Sequence, residues 1–381
     1  MQEGVRLLGA FLLAGGVVLI ATPLAISVAI RAHFFDTPRS YKAHLAPTPY
    51  LGGAAVVLGI LGGSTFVASE FGTIAPIVVG AGVLWVVGTV DDRRGLSPLH
   101  RLIATAAAAV LLAATGLGWS VFGNPVADAL LTVFWVIAVV NAMNLMDNMD
   151  GAASAVAGVS AAGIAIGALI HGDLTIAILA IAVCGATLSF LRYNLSVPAR
   201  IFLGDGGTMS LGFVLAAGVL ALDLRDEVGT GAPVPAVLLV GLPAFDTTLV
   251  VISRLRRHVT VWVGGRDHTT HRIGRVIRSP RKMAALLALT QSFLCGAALF
   301  AYVAGANVAL ATGAVFAGVF LVAGVLLERV SPLAPVRLTR AADSSKPTPR
   351  PVTTSARSAR SMPYVVREAT APTEAARTFG D

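Results

Sequence analysis

Long apolar runs separated by short polar stretches set the pattern of this chain. A spanning helix needs about 20 apolar residues. Eleven runs approach that length: 7–30, 51–69, 73–90, 102–118, 126–144, 152–171, 173–191, 207–222, 232–253, 283–304 and 306–327. They are too long and too unalternating for barrel strands, and only helices or closed barrels satisfy backbone polar groups in lipid. The pattern predicts an all-α polytopic membrane protein of about eleven transmembrane helices. The membrane domain is expected over 1–330 and a disordered tail over 331–381. Residues 340–381 are rich in Ser, Thr, Pro, Ala and Arg and cannot bury a core.

Composition supports this reading. Hydrophobic residues are 56% and charged residues 13% of the chain, and the mean hydropathy is +0.80. A soluble chain would expose too much surface for that balance. The two cysteines, Cys184 and Cys295, lie in apolar runs and read as small hydrophobes, not as a disulfide frame or metal site. The first apolar run lacks a cleavage site leading into a soluble domain and is expected to be retained as a helix.

The net charge of +8 does not point to nucleic acid, because of where the charges fall. With the first terminus outside, the inside loops are 31–50, 91–101, 145–151, 192–206, 254–282 and the tail from 328. These hold 26 of the 28 Lys and Arg residues, and only Arg6 and Arg225 lie outside. Positive residues stay on the cytoplasmic side, so the tail and the loops that end or begin these helices are expected there.

The same loops carry the unusual polar residues. The segment 141–151, NAMNLMDNMDG, ends a greasy helix with Asn141, Asn144, Asn148, Asp147 and Asp150. Helix geometry places the three asparagines on one face. They could glue helices together, yet acids in membrane segments are functional by default. VDDRRGLSP offers Asp91 and Asp92, which are either a solvated cap or a pair suited to a divalent cation or a proton. NLSVPARIFLGDGGTMSLGF holds Asn194, Phe202 and Asp205 before a glycine-rich helix start, where capping and anion binding both occur. GGRDHTTHRIG has His268 and His271 three apart, but the flanking Arg266 and Arg272 would repel zinc and suit phosphate better. Arg39 and Lys42, in the first loop, either bind phosphate or snorkel. Acids for Mg²⁺ and bases for phosphate, together on one membrane face, suggest phosphoryl transfer involving a lipid phosphate.

A transporter would place its polar groups at mid-membrane, whereas these acids cluster at helix ends. An intramembrane aspartyl protease would need glycine where Phe202 stands. A non-catalytic scaffold would have lost an acid, and none is lost.

In these motifs, DTPRSYKAHLAPTPYLGG, VDDRRGLSP, NAMNLMDNMDG, NLSVPARIFLGDGGTMSLGF and PAFDTTLVVISRLRR with GGRDHTTHRIG, the chain resembles the polyprenyl-phosphate N-acetylhexosamine-1-phosphate transferases, in order from about residue 31 to 300. The resemblance implies a Mg²⁺-dependent transferase, with Mn²⁺ as a substitute. It would pass a sugar-1-phosphate, with N-acetylglucosamine as the prior, from a UDP-sugar to polyprenyl phosphate and release UMP. It implies Asp205 and Asn144 as metal ligands. Asp91 and Asp92 would be the acids beside the lipid phosphate, with Asp91 a proton acceptor. Asp147 and Asp150 would lie on the nucleotide side, with Phe202 stacking on uracil. His268, His271 and Arg272 would contact diphosphate, and Lys42, Asn141, Asn194 and Arg266 would contact substrate. The implied partners are the UDP-sugar, the polyprenyl phosphate and membrane lipids; a homodimer is allowed. The implied location is the plasma membrane, with site and tail cytoplasmic. Two positions depart from the pattern N-x-x-N-x-x-D-G-x-D-G and the loop H-x-H-H-R: Asn148 replaces the first glycine and Thr270 the middle histidine. The muramoyl-pentapeptide branch is disfavoured, because its P-x-H-H-H motif is missing.

Overall fold

The computed structural model describes residues 1–36, 47–66, 71–224, 229–261 and 265–330. The chain divides into Met1–Val336 and Arg337–Asp381. Lys42 and the expected tail lie outside the described residues.

Each predicted apolar run contains helix. In chain order they are α1 (Gln2–Arg31), α2 (Gly52–Ser64), α3 (Phe71–Arg94), α4 (Pro98–Ala114), α5 (Pro125–Met146), α6 (Ala152–His171), α7 (Leu174–Asn194) and α8 (Gly204–Ala221). Then come α9 (Pro233–Leu239), α10 (Gly241–Arg256), the short α11 (Thr269–Ile273), α12 (Pro280–Ala304) and α13 (Ala306–Val330). Eight are long and apolar enough to cross a membrane, or nine if the bent pair α9–α10 is one span. The remaining two of the expected eleven are α2 and α4, of 13 and 17 residues. The only strands among the described residues are β1 (Phe35–Asp36) and β2 (Thr48–Pro49), an antiparallel pair. The protein is a multi-pass, all-α membrane protein.

Local chemistry fixes several helix ends. Asn124 caps α5 by accepting from the N–H groups of Val126 and Ala127, with Pro125 in the first turn. Asp173 caps α7 through the Ile176 N–H. These caps satisfy donors that have no partner within the helix.

The break between α9 and α10 turns the chain by 88°. A break inside an apolar bundle frees backbone groups that lipid cannot satisfy. Gln291 of α12, fully buried, satisfies them. Its Nε2 donates to the carbonyls of Leu238 and Leu239 at 3.2 and 2.8 Å, and its Oε1 accepts from the Leu242 N–H at 3.0 Å.

Helix α8 lies inside the bundle, against α2, α3, α5 and α6. Nearly all of its residues are buried, whereas α13 exposes most of its apolar surface. This central position brings the start of α8 to the ends of α3 and α5.

Candidate active site

Asp205, in the first turn of α8, is the meeting point of three helix ends. From α3, the Asp92 carboxylate accepts from the backbone N–H groups of Asp205 and Gly206 at 3.0 and 3.4 Å. Asp92 thus caps α8 from another helix, where the helix dipole favours a negative charge. From α5, the Asn144 amide donates to Asp205 Oδ1 at 2.8 Å and to Thr208 Oγ1 at 2.9 Å. From α4, Arg101 reaches Asp205 Oδ2 at 3.4 Å and Asp91 Oδ2 at 3.1 Å. The other oxygen of Asp91 accepts from the Leu96 N–H. Both Asp91 oxygens are therefore engaged within the protein, which anchors Arg101 over the acids.

Two glycines permit this approach. A Cβ on Gly88 would meet the Asp205 carbonyl carbon and the Gly206 nitrogen at 2.5 Å. Gly204 has φ +76°, and a Cβ there would meet Asp92 Oδ2 at 2.5 Å. Any side chain would push α8 off the end of α3.

Asp147 ends α5. Burial, then the charges of Asp205 and Asp150, push its carboxyl up to about 7. Asp147 thus shares the electrostatic field of Asp205. Beside the cluster stands Tyr50, its hydroxyl pushed up by burial and then by Asp36, Asp92 and Asp205. The rings of Phe34 and Phe202 lie 5.9 and 6.2 Å from the Tyr50 ring. Backbone bonds from Phe202 to Pro49 and from Gly52 to Phe202 hold this aromatic edge.

The second half of the site is the segment ending in α11. His268 is buried, and its Nδ1 lies 2.7 Å from Asp246 Oδ2; the other Asp246 oxygen accepts from the Thr269 N–H at 2.6 Å. The Asp246 carboxylate on Nδ1 fixes the orientation of the ring. The His271 ring lies 5.9 Å from that of His268. Burial, then His268 and Arg266, lower its value to about 4, so it is neutral near pH 7. Arg266 is exposed. Asp267 is buried between Arg254, at 2.7 and 2.8 Å, and Arg257, at 3.1 Å. Burial raises its carboxyl, but the Arg254 hydrogen bonds and charge outweigh that and bring it to about 2.

Three expected substrate contacts take other places. Arg272 is 1% exposed. Its guanidinium bonds the Asp267 and Leu327 carbonyls, Ser253 Oγ and Glu328. A planar fork with all three nitrogens engaged in protein bonds braces the loop from inside. Asn194 is buried, accepting from the Gly151 N–H at 2.6 Å and donating to the Ile201 carbonyl at 3.0 Å. It staples the 145–151 loop to the chain entering α8. Asn141 is exposed and donates to the Ile137 carbonyl of its own helix, so it does not join the cluster.

Arg101, Tyr50, Asp246 and Thr208 belong to the site although the motif reading assigned them no role. A cation in the helix that follows an acid pair is the signal for Arg101. Asp246 sits within PAFDTT, where a lone acid in an apolar stretch is the signal. Tyr50 and Thr208 carry none.

Among the described residues, no group of three or more His, Cys, Asp or Glu side chains is placed to hold a metal alone. Asp205 and Asn144, with Asp147 in the same field, offer hard oxygen donors. Such a set suits a cation that keeps water and draws its other oxygens from phosphate.

Comparison with known proteins bears on the same segments. Residues 74–223 match the family model described as glycosyl transferase family 4. A Bacillus subtilis protein named "Probable undecaprenyl-phosphate N-acetylglucosaminyl 1-phosphate transferase" is 32% identical over 71% of this chain and 78% of its own length. The decaprenyl-phosphate N-acetylglucosaminephosphotransferase of Mycobacterium tuberculosis is 32% identical over 76% and 80%. The undecaprenyl-phosphate alpha-N-acetylglucosaminyl 1-phosphate transferase of Escherichia coli O157:H7 is 28% identical over 73% and 79%.

Proposed function

Because the chain belongs to glycosyl transferase family 4, we propose that it transfers N-acetylglucosamine-1-phosphate from a UDP-sugar to polyprenyl phosphate. An oxygen of the lipid phosphate attacks the sugar-bearing phosphorus. The bond from that phosphorus to the oxygen bridging it to the other phosphorus breaks. UMP leaves, and polyprenyl-diphosphate-sugar remains. The observation that carries this reading is the joining of the ends of α3, α4, α5 and α8 around Asp205, with both an acid cluster and Arg101 at one end of the bundle.

Asp205 and Asn144 would hold Mg²⁺, or Mn²⁺ in its place. The cation would neutralise charge on the donor diphosphate as it develops. Asp92 keeps Asp205 in place by capping α8. Arg101 offers positive charge where a lipid phosphate would enter from the membrane side. Asp147 and Asp150 face the nucleotide, and Phe202 with Tyr50 gives it an aromatic edge. His268, fixed by Asp246, presents Nε2, and neutral His271 and exposed Arg266 lie on the same segment. The protein works in the plasma membrane with this end of the bundle in the cytoplasm, a reading supported by the Lys and Arg distribution.

The test is UMP release by the purified protein in detergent with polyprenyl phosphate and Mg²⁺. UDP-N-acetylglucosamine, its galacto isomer and UDP-muramoyl-pentapeptide are supplied separately. Lipid-dependent UMP is expected from UDP-N-acetylglucosamine. Release from another donor would reassign the sugar, and silence from all three with folded protein would overturn the reading.

A further inference from the structure

Asn148 and Thr270, far apart in the sequence, touch. The Thr270 hydroxyl donates to Asn148 Oδ1. They lie 122 residues apart in the sequence. Asn148 stands between Asp147 and Asp150 in the turn after α5, and Thr270 between His268 and His271 in α11.

The surroundings make this bond directional. The Asn148 amide nitrogen donates to the Leu145 carbonyl at 2.7 Å, which turns its oxygen toward α11. Thr270 is 0% exposed, so water cannot replace Asn148 if that oxygen is removed. Around the bond, the Met149 side chain reaches to within 3.7 Å of a Cβ placed on Gly274. The acid turn is held from its other end by Asn194 on the Gly151 N–H. The histidine segment is held by Asp246 on His268 and by Arg272 on the Asp267 carbonyl. Each half has its own bonds to the bundle, and the Asn148–Thr270 bond ties one to the other.

We infer that Asn148 and Thr270 form a coupled positioning pair that sets the separation between the nucleotide-side acids and the histidine segment, and so tunes binding of the UDP-sugar diphosphate. Glycine at 148 would leave the Thr270 hydroxyl without its acceptor, and an apolar residue at 270 would leave the Asn148 oxygen without its donor. Each change alone strands a partner; both together strand neither. The pair acts on the donor and not on the lipid, because Asp92, Asp205 and Arg101 are held by bonds that do not pass through it.

This inference rests on the transferase reading for its substrate, but its coupling can be measured without it. The full-length protein is purified as wild type, Asn148→Gly, Thr270→Val, the double variant and Thr270→Ser. KM for UDP-N-acetylglucosamine, KM for polyprenyl phosphate, kcat and the thermal midpoint are measured for each. Each of Asn148→Gly and Thr270→Val is expected to raise the donor KM about tenfold, the scale of one lost buried hydrogen bond, with the lipid KM unchanged. The double variant should be no worse than either single one, and Thr270→Ser, which keeps the hydroxyl, should match wild type. Additive effects in the double variant, or donor and lipid KM rising together with a falling midpoint, would overturn the pair as a positioning device. If wild type releases no UMP, the transferase reading fails; the midpoints still decide the coupling, non-additive values supporting it and additive values overturning it.

Discussion

Asp205 is held from three directions: by Asn144 on one oxygen, by Arg101 on the other, and by Asp92 on its own backbone N–H. A carboxylate fixed in this way keeps its place at the start of α8, and a cation would replace the N–H donors on its oxygens. Asp205→Asn keeps the shape but removes the charge, so transfer should fall by about a hundred- to a thousandfold, the scale on which lost charge stabilisation acts, while the thermal midpoint barely moves. UMP release measured beside a melting curve decides this; wild-type turnover would remove Asp205 from the cation site. Asp267 gives a pH signature. Its folded value of about 2 lies below the usual carboxylate value of about 3.9. Its pairing with Arg254 therefore stabilises the fold above pH ~4, and this contribution is lost as pH falls from about 4 to about 2. The stability difference between wild type and Asp267→Asn should be ~2–3 kcal/mol near neutral pH and should close toward pH 2 in acid unfolding curves. The carboxylates were readable as residues because acids are rare in apolar runs. Arg272 was readable as a cation but not as a brace, since nothing in HRIG says that Ser253 and Glu328 come to meet it.

Helices are the scale at which sequence and structure agree most closely. The caps at Asn124 and Asp173 and the apolar runs place α5 and α7 within a few residues of their expected bounds. The run 232–253 reads as one continuous span, and the structure breaks it at 88°. Local propensity does not force that break. It is tolerated because Gln291, on a helix far along the chain, supplies both a donor and an acceptor to the freed backbone. Gln291→Leu keeps the bulk and removes both. It should lower stability by about 2 kcal/mol or more, since the Leu238 and Leu239 carbonyls and the Leu242 N–H would lose this partner in an apolar interior. Thermal unfolding in detergent would show it; an unchanged midpoint would mean that the break is satisfied another way.

At the scale of the molecule, α8 is enclosed, and the ends of α3, α4, α5 and α10 meet around its start or the adjoining α11 segment. The Lys and Arg distribution predicts that this end faces the cytoplasm. Phe122 and Val276 are exposed at opposite expected faces. In intact cells, a membrane-impermeant maleimide should label Phe122→Cys and not Val276→Cys, and should reach the latter only after permeabilisation; the native Cys184 and Cys295 are buried. The reverse pattern would invert the orientation. The sequence by itself determined the all-α membrane class, the charge asymmetry and the segments that carry the acids and histidines. These depend on composition and on spacing along one chain, which lipid and helix geometry read directly. Only the tertiary structure decided that Asp92 caps α8, that Arg101 bridges Asp91 and Asp205, that Asn194 and Arg272 brace the site from inside, and that Asn148 meets Thr270. Those pairings join residues up to 122 positions apart, and their partners are chosen by helix packing, which no local pattern encodes.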